Sequence, residues 1–221
     1  MTTMTRWQLL SEMRAAMKDP ARFGDAAVYK AELGRSRARP EIEAQLGDVR
    51  GYFPRVDLEA LAELPDGTFG REYARFLEVN RLHPIIPTDQ VDPEMIARNA
   101  FTVRYAIIHD MVHVLTGFDT SWPGEAGVWA FVGAQRYSFI FDLAGVMSLL
   151  VAPFMCPLRL RQAWRSWRRG RAMGKQARLL LILRLEERLE QRLSDVRAEL
   201  GIEGAGDGYL PHAPRAAHAA G

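Results

Sequence analysis

Cysteine is nearly absent. Of 221 residues only Cys156 carries a thiol, which excludes an intrachain disulfide and a zinc cage built of thiolates. A reduced, intracellular setting is the simple expectation. Net charge is small as well, at +2, too little to make nucleic acid a partner of the whole molecule. No apolar run is long and clean enough to span a bilayer. The N-terminal stretch, broken by Arg6, Glu12, Arg14 and Lys18, lacks the apolar core of a secretory signal. Strand-like alternation never persists, and no internal repeat is present. The expectation is an all-α fold: a single multi-helix domain over residues 1–202, then a disordered Gly/Ala/Pro/His tail over 203–221.

Helical spacing recurs along the chain. Trp7, Leu10, Met13 and Met17 form a stripe expected to face the core, with Thr5 as cap. Helices are expected over 21–34, 56–64 and 71–81, the last with Tyr73, Phe76 and Leu77 on one face. Asp92-Pro93-Glu94 opens another, expected to reach about Leu115 with a break near Asn99-Ala100. Glu125 begins the next. Residues 139–156 are the most apolar stretch, read as a buried or membrane-facing helix. Between Leu143 and Leu185 there is no Asp or Glu, while Arg159, Arg161, Arg165, Arg168, Arg169, Arg171, Lys175, Arg178 and Arg184 are all present. Trp164 and Trp167 are interleaved. A solvated helix face is the bland reading, and an anionic membrane surface the functional one. Residues 175–200 are expected to form one long amphipathic helix.

The chemistry-bearing stretch is His109-Asp110-Met111-Val112-His113, followed by Gly124-Glu125. On a helix His109 and His113 are one turn apart on the same face. Asp110 sits about 100° around the axis from His109. Two imidazoles and a carboxylate can thus reach one point beside the helix, and Glu125 can supply a fourth ligand if the chain turns back after Leu115. A metal site is the leading reading and a structural polar cluster the alternative. For Glu125 the bland alternative is an acid favoured by the dipole of a helix's first turn. Tyr105 and Thr116 share the stripe as candidate supports. A zinc-protease reading fails because that chemistry wants a glutamate between the histidines. A phosphohydrolase reading wants more histidines than His83, His212 and His218 provide. The donor set suits zinc, and also iron, manganese or cobalt.

These residues resemble the ubiquinone (coenzyme Q) biosynthesis protein 4 family, whose signature is His-Asp-x-x-His, eleven residues, then Glu. Here eleven residues, Val114 to Gly124, separate His113 from Glu125. Arg104-Tyr105, the Leu64–Gly70 turn with Tyr73-Ala74-Arg75-Phe76-Leu77, Trp167-Arg168-Arg169-Gly170, Gly174 and Val196-Arg197 also resemble the family, so that the likeness covers roughly residues 55–202. Trp129 and the stretch 136–158 depart from the pattern.

The resemblance implies a metal bound by His109, Asp110, His113 and Glu125, with zinc the leading choice. It implies removal of the ring carboxylate from a polyprenylated 4-hydroxybenzoate, in some descriptions coupled to hydroxylation of the same carbon. Implied partners are the prenylated aromatic substrate and other quinone-biosynthesis enzymes, to which the basic run adds an anionic membrane surface, and a homodimer is a further expectation. The implied location is cytoplasmic and peripheral to the membrane. On this reading an apolar face from Trp129 through Phe139 and Val146 buries the prenyl tail. The competing expectation is a non-catalytic prenyl-lipid-binding scaffold.

Overall fold

Side-chain caps set many of the helix starts. In the computed structural model, which describes residues 4–205, Thr5 accepts from Gln8 N and opens α1 (Arg6–Ala16). A 3₁₀ turn over Pro20–Arg22 leads into α2 (Phe23–Gly34), and Pro40 starts the short α3 (Pro40–Glu43). Asp57 caps α4 (Leu58–Ala62) and Thr68 caps α5 (Phe69–Asn80). Asp92, followed by Pro93 at the first helical position, opens α6 (Pro93–Arg98). The expected break falls at Asn99, after which α7 (Ala100–Thr116) begins. Then come α8 (Trp122–Ala134), α9 (Phe139–Met155), α10 (Leu160–Gln176) and α11 (Leu193–Leu200). The described residues contain no strand, only an isolated bridge between Thr68 and Arg192. The fold is all-α. Of the expected tail, residues 203–205 are described, with Ala205 buried. The remainder, with His212 and His218, lies outside the described residues.

The core is built around α7. Phe101, Ile108, Met111, Val112 and Leu115 are buried on it, packed against α2 and against α5, which contributes Phe69, Tyr73, Phe76 and Leu77. The second layer is α8 between α9 and α10. Here backbone meets backbone: a Cβ on Gly170 would lie 2.0 Å from the Gly127 carbonyl oxygen, and one on Gly174 would lie 2.3 Å from that of Phe131. Only glycine permits that approach.

Two expectations are corrected. Of the stripe Trp7, Leu10, Met13, Met17, only part faces inward, Met13 being half-buried against the core and Leu10 half-buried. Trp7 and Met17 are exposed, and α1 buries Leu9 and Ala16 instead. The long helix over 175–200 is also absent. α10 stops at Gln176, two 3₁₀ turns follow (Leu180–Ile182 and Leu185–Arg188), and only Leu193–Leu200 is helical. Leu180 and Leu181 are both fully buried within the first of these 3₁₀ turns. The buried Gln135 side chain takes over the freed backbone groups. Its Nε2 donates to the carbonyls of Gly174, Ala177 and Arg178, and its Oε1 accepts from Leu180 N. Further on, the carbonyls of Leu189 and Gln191 accept from Gly70 N and Phe69 N, supplying partners to the N-terminus of α5.

The helix α9 is apolar but largely outside the core. It buries Phe141, Gly145, Ser148 and Ala152, while Phe139, Ile140, Leu143, Val146, Met147, Leu150, Phe154 and Met155 are exposed. No single helix among the described residues is long and apolar enough to cross a membrane. The pair Phe139–Met155 and Pro157–Gln176 meets the length and composition only together, and it is bent by 117°.

Candidate metal centre

α7 carries both histidines and α8 carries Glu125. The link between them is short because Gly117 ends α7 in the left-handed region, with φ 69°. Gly124 then lets α8 start tightly against the loop, since a Cβ there would lie 1.9 Å from the Asp119 carbonyl oxygen. Arg197 reaches across from α11 and donates to the carbonyls of Val114 and Leu115 at the end of α7. Arg169 of α10 stacks 4.3 Å from the centroid of Phe118 and donates to the Gly117 carbonyl.

The turn-back is therefore achieved, and Glu125 meets both imidazoles. His113 Nε2 is 3.3 Å from Glu125 Oε1 and His109 Nε2 is 3.9 Å from Glu125 Oε2. His109, His113 and Glu125 offer ligand atoms all within 4.8 Å of one another. Asp110 stands apart from this trio. Its Oδ1 lies 3.2 Å from His109 Nδ1, on the far side of that ring from Glu125.

Hydrogen bonding fixes which nitrogen is free. His113 Nδ1 is 3.0 Å from the Phe118 carbonyl oxygen, which can only accept, so Nδ1 carries the proton. Nε2 is left with a lone pair, is buried and makes no hydrogen bond. Glu125 opposite it is also an acceptor. By the same reasoning the Asp110 carboxylate holds the proton on His109 Nδ1 and leaves Nε2 bare. Two imidazole nitrogens and a carboxylate facing one another are satisfied by a cation between them, either a proton on an imidazole or a metal ion. A metal ion fits this arrangement, with each histidine oriented from behind by an oxygen. Burial pushes the His113 pKa down, but Glu125, the Phe118 carbonyl and Asp110 outweigh it and hold it above the ordinary histidine value, so a proton on Nε2 competes with a metal ion for the place facing Glu125.

Aromatic rings wall the site. Phe76 stacks on His113 at 5.4 Å and Tyr105 meets His109 edge-on at 5.6 Å. Tyr105 continues through Phe141 and Trp129, at 4.5 and 6.2 Å. Burial drives the Tyr105 phenol well above its ordinary pKa, and its hydroxyl has no hydrogen-bond partner. Thr116 does not support the ligands. Its hydroxyl donates to the Val112 carbonyl of its own helix. The backbone oxygen of Phe118 had no signal in the sequence beyond the glycine before it.

A family model described as coenzyme Q (ubiquinone) biosynthesis protein Coq4 matches residues 38–205. The chain belongs to the Coq4 family. It is similar to the ubiquinone biosynthesis protein COQ4 homolog, mitochondrial, of Danio rerio, with 34% identity over 86% of this chain and 73% of that protein. The human protein of the same description is 38% identical over 66% of this chain and 55% of its own length. A crystal structure from Nostoc punctiforme shares the fold, with a TM-score of 0.60 at 23% identity, covering 89% of this chain and 88% of that one. Membership places the chain among proteins of ubiquinone biosynthesis.

Proposed function

We propose that this protein is the metal-dependent enzyme that removes the ring carboxylate from a polyprenylated 4-hydroxybenzoate at a membrane surface. The convergence of His109 Nε2, His113 Nε2 and Glu125 within 4.8 Å of one another is the observation that carries it. Those three residues hold the ion, and Asp110 orients His109 from behind. Zinc is the leading candidate, with iron, manganese and cobalt suited to the same donors. The bound ion supplies Lewis acidity toward the substrate's carboxylate or phenolate oxygen.

The chain's own groups do the rest. His109 and Glu125 are partly exposed, so the ring has access on the side facing α9. Tyr105, Trp129 and Phe141 form an aromatic wall that holds a planar ring and excludes water. The prenyl tail leaves past Trp129 toward the exposed Phe139. The apolar outer face of α9 and the cations of α10 seat the protein on anionic lipid, where other quinone-biosynthesis enzymes deliver and take up prenylated rings.

The test is elemental analysis of untagged protein together with turnover of a short-tailed prenyl 4-hydroxybenzoate, with and without dioxygen. Wild type is expected to hold one ion per chain and turn over, and Glu125→Ala and His109→Ala to lose both. Retention of metal and turnover in both variants would sink the catalytic reading. Zinc has no redox chemistry, so strict dependence on dioxygen would favour iron, manganese or cobalt. The exposed face of α9 favours a second reading, a prenyl-lipid-binding scaffold. Turnover of soluble substrate by a variant that no longer binds membranes would exclude it.

A further inference from the structure

The cations of α10 are not spread evenly over a solvated face. A cavity of about 440 Å³ opens between α8, α9 and α10, and Arg136, Arg171 and Lys175 line it together with Asp142, Val146 and Trp167. Trp167, Arg171 and Lys175 follow one another at i, i+4 and i+8 and so share a stripe of α10. Arg136 comes from the turn after α8, where its backbone is left-handed at φ 55°, as it is for Arg35 and Arg81 at the ends of α2 and α5.

The positive charge in this cavity is only partly compensated. Asp142 lines it with three cations, pairing through Oδ2 with Arg39 outside the cavity and leaving Oδ1 without a hydrogen-bond partner. Among the described residues Arg136, Arg171 and Lys175 make no ion pair of their own. The chain offers no acid between Leu143 and Leu185, so neither α10 nor the remainder of α9 can supply one. One wall is apolar and fixed: Trp167 Nε1 donates to the Gly145 carbonyl, and Arg171 lies 5.5 Å from the centroid of the Trp167 ring. Val146 then joins the cavity to the outer surface of α9, where Val146, Leu150 and Phe154, one turn apart, are 48, 62 and 85% exposed.

We propose that this cavity binds the phosphate of an anionic membrane phospholipid, with the acyl chains lying along Val146, Leu150 and Phe154. The proposal rests on the reading of α9 and α10 as a membrane-facing surface. It deepens that reading by replacing a diffuse basic patch with one headgroup site. A diffuse patch responds to how many cations are removed, whereas a site responds to which ones.

The experiment compares full-length wild type, R171Q/K175Q and R161Q/R165Q. Arg161 and Arg165 lie on the same helix without lining the cavity. Each protein is floated with phosphatidylcholine vesicles with and without phosphatidylglycerol. Each is also titrated calorimetrically with dihexanoyl phosphatidylglycerol below its micelle concentration, and with inorganic phosphate. Circular dichroism checks that the variants are folded. The expected result is saturable binding of the short lipid by wild type and R161Q/R165Q. In R171Q/K175Q it should be weakened about tenfold or more, as for the loss of two charge-assisted contacts. If both variants lose vesicle binding equally, with no saturable binding of the short lipid, the headgroup site is overturned and the membrane surface stands. If wild type ignores anionic vesicles, the membrane reading falls and takes the proposal with it. Inorganic phosphate binding as tightly as the lipid would make this a free-phosphate site and overturn the lipid assignment.

Discussion

α7 and α9 are both seventeen residues long and both predominantly apolar, yet one is the centre of the core and the other lies largely outside it. The two helices also differ in their polar residues. On α7 the buried Arg104, Asp110, His113 and Thr116 each meet a partner: the Glu186 carboxylate, His109 Nδ1, the Phe118 carbonyl and the Val112 carbonyl. On α9 the polar residues are few: the Ser148 hydroxyl donates to the Gly145 carbonyl and Asp142 pairs with Arg39, while eight large apolar side chains point outward. Polar groups do not by themselves expel a helix from the core when partners lie within reach. Apolar content alone says only that water is disfavoured.

The sharpest way to break this comparison is through Arg104. Its guanidinium and the Glu186 carboxylate are 1% and 4% exposed, so Arg104→Ala leaves an unpaired buried carboxylate. The expected loss is about 3–5 kcal/mol in a denaturant titration, and a change under 1 kcal/mol would mean that α7 does not depend on its polar partners. Next is a matched truncation. Leu115→Ala on α7, where Leu115 is fully buried, should cost about 2–5 kcal/mol. Leu150→Ala on α9 should stay within about 0.5 kcal/mol while reducing vesicle flotation. Equal costs would erase the distinction.

Within α7, Asp110→Asn tests orientation against ligation. Metal affinity, measured by chelator competition, should fall about 10–100-fold. A complete loss, as expected for Glu125→Ala, would make Asp110 a direct ligand. The smallest effect concerns the seam of α2 with α6. Burial pushes the Glu32 carboxyl upward, but Arg98, Asn99 and Arg35 outweigh it and hold its pKa below the ordinary value. A depressed carboxylate stabilises the fold above its unfolded pKa, and that contribution disappears as pH falls through the lowered folded one. The stability gap between wild type and Glu32→Gln should therefore narrow in acid, and a gap that is flat with pH would count against it.

Local signals in the sequence were legible where they were strong. Thr5 and Asp92 cap helices as expected, and the break at Asn99 was visible from Asn99-Ala100. The His109–His113 spacing and the eleven-residue offset to Glu125 foretold the meeting of two helices. What the sequence hid was tertiary satisfaction. Gln135 and the buried leucines after it stop a helix that periodicity extends to Leu200, because side-chain hydrogen bonds replace the helical ones. The lone Arg104 in an apolar helix was the available clue to a buried acid partner, though nothing local named Glu186. Trp7 and Met17 had helical spacing but no cavity to enter.

The glycine contacts between α8 and α10 have a mechanical consequence. At Gly127 and Gly170 there is no side chain between the helices that could repack, so the two have little freedom to slide or tilt against each other. Glu125 is two residues from Gly127, and Arg171 is next to Gly170. The acidic ligand and the cationic surface are thus carried by two helices held in direct backbone contact.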